Sequence, residues 1–116
     1  MAAAEKALLA ANWKMNPTDG GGALELVNSI LPVASSVTDE VEVALFPPYP
    51  WLLGVAEVLG ESGVQLGAQD CFWEMSGAYT GEVSPKMLEG WWQWVLVGHA
   101  ERRACAPTRR TASGRE

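Results

Sequence analysis

The sequence predicts an α/β fold built on a parallel sheet. Short apolar runs alternate with segments of helical periodicity, the order that calls for parallel strands joined by right-handed crossovers. Each apolar run also ends in polar or turn residues, so one rim of the sheet collects Asn12, Lys14, Pro47, Gln69, Asp70 and His99. In parallel α/β folds, that carboxyl rim is where chemistry is placed.

The first run, residues 7–11, reads as a strand ending in Asn12-Trp13-Lys14-Met15-Asn16. Strand alternation puts Asn12 and Lys14 on one face and Trp13 and Met15 on the other. Residues 18–22, with three consecutive glycines, read as a loop. Over residues 23–33, Ala23, Leu24, Leu26, Val27, Ile30 and Leu31 recur with a helical period, opposite Glu25, Asn28 and Ser29. Pro32 predicts an early end or a kink there.

Val41 to Phe46 is the second strand, stopped by Pro47-Pro48-Tyr49-Pro50. Residues 51–60 carry a second helical pattern, closed by Gly60. Residues 63–69 form the third strand. Residues 70–84 form a loop with two glycines and aromatics at 72, 73 and 79, long enough to suggest a functional or interfacial role. Ser84-Pro85 reads as a helix cap followed by proline at the first helical position. A short helix then leads to the fourth strand, Trp94-Val95-Leu96-Val97, expected to be buried on both faces. It stops at Gly98, His99 and the charged cluster Glu101-Arg102-Arg103, and His99 is the only histidine in the chain.

Composition limits the function classes. The chain is 48% hydrophobic and 19% charged, enough to bury a core in one domain. A formal net charge of −6 argues against nucleic acid or an anionic membrane as partner. Cys71 and Cys105 have neither metal-ligand spacing nor disulfide density, and read as reduced thiols. No metal or cofactor is expected. No apolar run reaches the ~18 residues of a membrane span, and Met1-Ala2-Ala3-Ala4-Glu5-Lys6 lacks a signal-peptide pattern, so a cytoplasmic protein is expected. Five of the eight lysines and arginines lie in the last fifteen residues, which marks a composition break near Arg103.

Five segments together resemble one family. They are Asn12-Trp13-Lys14-Met15-Asn16, Phe46-Pro47-Pro48, Gly67-Ala68-Gln69-Asp70, Gly77-Ala78-Tyr79-Thr80-Gly81-Glu82-Val83-Ser84 and Gly98-His99-Ala100-Glu101-Arg102-Arg103. In that order and spacing they resemble the amino-terminal half of triosephosphate isomerase, over roughly residues 8–103. The resemblance implies the first four strand–helix units of a (β/α)₈ TIM barrel with its site at the carboxyl rim. It implies interconversion of dihydroxyacetone phosphate and glyceraldehyde 3-phosphate through an enediolate, a step of glycolysis and gluconeogenesis, by a homodimer. This family is itself the reference case for a glutamate base paired with a histidine electrophile, so the roles are inherited from it. His99 would then be the electrophile, Asn12 and Lys14 would bind the triose phosphate, and Lys14 would also stabilise the developing oxyanion. Glu101 would be a supporting carboxylate behind them. Thr80 would sit at the tip of a loop that enters the neighbouring subunit.

Three departures from the family modify those expectations. Ala100 stands where serine is usual, which removes a helix cap typically worth ~1 kcal/mol. The family's general base is a glutamate in a Glu-Pro-Val-Trp-like segment, and no such segment occurs in these 116 residues. Loss of general-base catalysis costs ~10²–10⁴-fold, so the chain by itself is expected to be inactive. The organisation expected is therefore residues 1–103 as half of a barrel domain and residues 104–116 as an atypical tail. That tail reads either as a disordered basic segment or as out-of-frame sequence. Encoded as CCG-ACG-AGA-CGG-AC, Pro107 to Thr111 would become Asp-Glu-Thr-Asp in a shifted frame, close to the family's continuation. A half barrel also leaves its first and fourth strands open and apolar side chains facing water. Marginal stability or self-association follows. The alternative function is a noncatalytic half-barrel module that pairs with itself or with a complementary half.

Overall fold

A computed structural model describes residues 5–90 and 92–105, the last three as backbone. The residues from 106 onward, Trp91 and the Cys105 thiol lie outside the described residues, and with them most of the expected tail.

Four parallel strands form one curled sheet in the order β1-β2-β3-β4. They are β1 (Ala7–Asn12), β2 (Val41–Phe46), β3 (Gln65–Ala68) and β4 (Trp94–Val95). Helix α1 (Gly20–Ser36) joins β1 to β2, and α2 (Tyr49–Leu59) joins β2 to β3. The third connection is the long loop followed by a single 3₁₀ turn, Pro85–Leu88, and α3 (Ala100–Cys105) follows β4. Neighbours in sequence are neighbours in space throughout, as successive right-handed βα units require. This is the expected half of a barrel wall.

The core lies between the sheet and the two long helices. Val43, Leu45, Leu66 and Ala68 from the strands meet Val27 of α1 and Leu52, Val55 and Leu59 of α2. Phe46 is also fully buried, and its ring lies over Gly67. A Cβ at Gly67 would come within 2.6 Å of Phe46 Cδ1 and closer still to Cε1, so only glycine fits there. Trp51 docks the second helix onto the entry of the first by donating from Nε1 to Pro17 O at 2.9 Å.

Several boundaries differ from the sequence expectation. The glycines at 20–22 belong to helix α1 and not to a loop, because Asp19 caps the helix by accepting from Gly22 N–H at 2.6 Å. The helix passes through Pro32 and continues to Ser36. One lost N–H is tolerated there because the core-facing side persists beyond it, with Ile30, Leu31 and Ala34 all packed against the core. Helix α2 begins at Tyr49, with Pro50 in its first turn, where a missing N–H costs nothing. The Ser84 cap is as expected, its hydroxyl accepting from Met87 N–H at 3.3 Å.

Two corrections concern the strands that carry the rim. Strand alternation does not extend to Met15, because β1 ends at Asn12 and Lys14 adopts φ 56°. Trp13 packs against the core while Met15 is 87% exposed, so the two do not share a face. The run at residues 94–97 is not buried on both faces. Only Trp94 and Val95 pair as strand, both half-buried, and Val97 is 48% exposed. Strand β4 is the last in the sheet and has β3 on one side alone.

Candidate active site

The carboxyl ends of the four strands meet where the ladder between β1 and β2 runs out. Their register pairs every residue from Ala7 with Val41 to Asn12 with Phe46, and Trp13 N–H still donates to Phe46 O at 3.1 Å. Past that point the chain turns through the left-handed conformation of Lys14. Its N–H is taken by Asn12 Oδ1 at 2.8 Å. Asn12 itself is half-buried, with its Oδ1 shaping the turn.

Lys14 extends across the rim to α3. Its Nζ lies 2.9 Å from Glu101 Oε1, with both side chains more than half exposed. The Lys14 ammonium, first by hydrogen bond and then by charge, holds the Glu101 carboxyl below the usual carboxylate range. His99 lies on the other side, with Nδ1 3.8 Å from Glu101 Oε2, and adds to that pull only when its ring is protonated.

His99 stands at the other end of the same surface. Gly98, at φ 66°, turns the backbone out of β4, and the imidazole takes the place of the next ladder group. Just past β4, Leu96 N–H donates to Ala68 O at 2.9 Å, and His99 Nε2 then meets Gln69 O at 2.5 Å. A backbone carbonyl only accepts, so Nε2 carries the hydrogen in this arrangement. The ring is 14% exposed and therefore reachable.

Asn12, Lys14, His99 and Glu101 are thus brought onto one rim by the ends of β1 and β4 and the start of α3. Gln69 falls on this rim in the sequence pattern, which marks no role for it. In the structure its side chain and its carbonyl touch both ends of the site. Arg102 and Asp70 add an ion pair at 2.8 Å, which ties α3 to the start of the long loop. Neither has a signature in residue spacing.

Thr80 is not on this rim. It lies exposed on the loop after β3, whose base is closed by Phe72 N–H donating to Val83 O at 2.8 Å. Inside that loop Phe72 stacks on Trp73 at 4.2 Å and meets Tyr79 at 4.7 Å. The tip therefore has an aromatic support of its own. Among the described residues, no group of three or more His, Cys, Asp or Glu is placed to hold a metal ion. No described helix is long and apolar enough to cross a membrane.

A family model described as triosephosphate isomerase matches residues 7–112. The chain is 43% identical over 97 residues to the triosephosphate isomerase of Trichlorobacter lovleyi, covering 83% of this chain and 38% of that protein. It is 46% identical over 104 residues to that of Rubrobacter xylanophilus, covering 89% and 40%. Among solved structures, triosephosphate isomerase from Bartonella henselae superposes with a TM-score of 0.74 at 30% identity, covering 90% of this chain and 42% of that one. The chain spans about two fifths of the length of the curated relatives it matches.

Proposed function

The chain belongs to the triosephosphate isomerase family, and from that premise we propose that it supplies the electrophile-bearing half of a triose phosphate site. In the whole protein, a cytoplasmic homodimer, that site interconverts dihydroxyacetone phosphate and glyceraldehyde 3-phosphate. Residues 1–103 are taken as the half-barrel part of the domain and residues 104–116 as a tail of atypical sequence, with α3 running two residues past that boundary.

The observation that carries this reading is the convergence of Asn12, Lys14 and His99 at one rim. An enediolate is stabilised by hydrogen-bond donors and a fixed positive charge aimed at its oxygens. Lys14 offers a point charge to the phosphate and to the oxyanion. His99, with its hydrogen on Nε2, is in the tautomer that donates to a carbonyl oxygen. That hydrogen is engaged by Gln69 O, so substrate has to exchange for the carbonyl as the ring's partner. Glu101 holds Lys14 across the rim and yields it to an arriving dianion. Thr80 belongs to the surface that meets a second subunit.

The glutamate base is absent from these residues. A coupled assay tests the assignment in two arms. The chain alone gives no isomerisation above background. Mixed with the carboxyl-terminal half of a family member, which brings the base, it gives turnover that falls by ~10²-fold or more in His99→Gln. Turnover by the chain alone that disappears in His99→Gln sinks the proposal.

One observation favours the second reading, a noncatalytic half-barrel that pairs with itself or a complementary half. The outer strand β1 shows Leu8 and Leu9 to solvent. A light-scattering mass of a defined dimer at micromolar concentration, without turnover after the complementary half is added, supports that reading over the first.

A further inference from the structure

One residue at the carboxyl end of β3 touches both ends of the rim. Gln69 Nε2 lies 2.7 Å from Lys14 O, 2.8 Å from Phe46 O and 3.4 Å from Asn12 Oδ1. All three are oxygens, and two are backbone carbonyls that only accept. The nitrogen of the amide must therefore be the atom facing them. Its two hydrogens match the two short contacts. Phe46 O, which also accepts from Trp13 N–H, has both lone pairs occupied.

The turned peptide unit is thereby held on both sides. The Lys14 N–H goes to Asn12 and its carbonyl to Gln69, where the β1–β2 ladder no longer reaches. A lysine at φ 56° has no intrinsic preference for that conformation. It persists because its neighbours over-determine it. The backbone of the same glutamine serves the other end, where Gln69 O receives His99 Nε2.

We propose that Gln69 is a positioning residue for the isomerase site: its side-chain amide fixes the turn that aims Lys14, and its carbonyl holds the ring of His99, with hydrogen on Nε2, until substrate takes the carbonyl's place. The proposal rests on the assignment of Lys14 and His99 to the substrate. Its two halves separate chemically. Substituting the side chain removes the donor and leaves the carbonyl in place. Methionine keeps nearly the length and shape of glutamine and donates nothing, so Gln69→Met distinguishes lost hydrogen bonds from lost packing.

The test is nuclear magnetic resonance on the full chain, isotope-labelled. In the unsubstituted protein, a coupling across the hydrogen bond links Gln69 Nε2 to the Lys14 carbonyl, and the His99 ring nitrogens report hydrogen on Nε2. In Gln69→Met and Gln69→Ala, the Glu101 titration midpoint moves up toward that of an ordinary glutamate. The Lys14 ammonium that holds it down is then no longer aimed at it. His99, the other titratable group facing Glu101, keeps its hydrogen on Nε2 in both variants. A Glu101 midpoint unchanged in Gln69→Met overturns the amide's role, and a His99 ring that changes tautomer there overturns the carbonyl's. Absence of the coupling to Lys14 in the unsubstituted chain overturns the proposal whether or not a variant folds. Turnover is not among these readouts, so a wrong substrate assignment fails in the coupled assay and leaves this geometry standing.

Discussion

Strands β1 and β2 pair residue for residue along six positions, yet they live in different environments. Residues 43–46 of β2 are all buried, while β1 is exposed from Ala7 to Ala11. Composition does not explain the difference, since Ala-Leu-Leu-Ala-Ala is no less apolar than Val-Glu-Val-Ala-Leu-Phe. Position does. Strand β2 has a neighbour on each side, and β1 has one. The same pattern of side chains is core in one strand and unfinished surface in the other.

A pair of identical substitutions breaks or sharpens that comparison most directly. Leu45 is 2% exposed and Leu9 is 55% exposed. Leu45→Ala is expected to destabilise by ~2–5 kcal/mol, and Leu9→Ala to change stability by no more than ~0.5 kcal/mol. Denaturant unfolding of both variants checks this, and equal costs would mean that β1 is covered in solution. Adding the complementary half then sharpens the contrast, because Leu9→Ala becomes costly only once that edge is paired.

The next effect lies inside the central pair. Gly67→Ala drives a methyl group into the Phe46 ring and is expected to cost ~1–3 kcal/mol, as overpacking does. Combining it with Phe46→Leu should recover part of that cost, so the two substitutions are non-additive. Additive losses in unfolding experiments would place the strain elsewhere.

The smallest effect is at the rim. Glu101 has its carboxyl held below the usual carboxylate range by Lys14, so its contribution to stability is present above the unfolded value and is lost as pH falls through the lower folded one. Both side chains are exposed and screened by solvent, so the melting temperature should barely move in Glu101→Gln at neutral pH. Carboxyl chemical shifts followed below pH 4.5 read the contact itself. A large stability loss in Glu101→Gln would mean that the rim is far less open than it stands here.

How much could be read from residues alone follows the same division. Strand β2 matched its expected limits because its pattern, its proline stop and its two neighbours all say the same thing. Residues 94–97 were misjudged because that apolar run is suited to a strand with neighbours on both sides, and here β4 has one. The start of α1 was missed because three glycines speak for a loop, while the Asp19 cap that overrules them is a single side-chain contact. At the site, the residue identities were legible through the family resemblance. The left-handed turn at Lys14 and the bridging amide of Gln69 were not, since neither lysine nor glutamine signals such a role by type or spacing.

The turn at Lys14 also sets how this protein can be improved and at what loss. Glycine adopts that conformation without the steric cost lysine carries, so Lys14→Gly is expected to raise stability by up to ~1 kcal/mol while deleting the one ammonium that reaches across the rim. A screen that rewards only soluble, heat-resistant protein would enrich that substitution. Under the proposed function, a screen that rewards turnover by the chain paired with a base-bearing half would discard it, and the opposite fates of one codon would show what the awkward backbone is kept for.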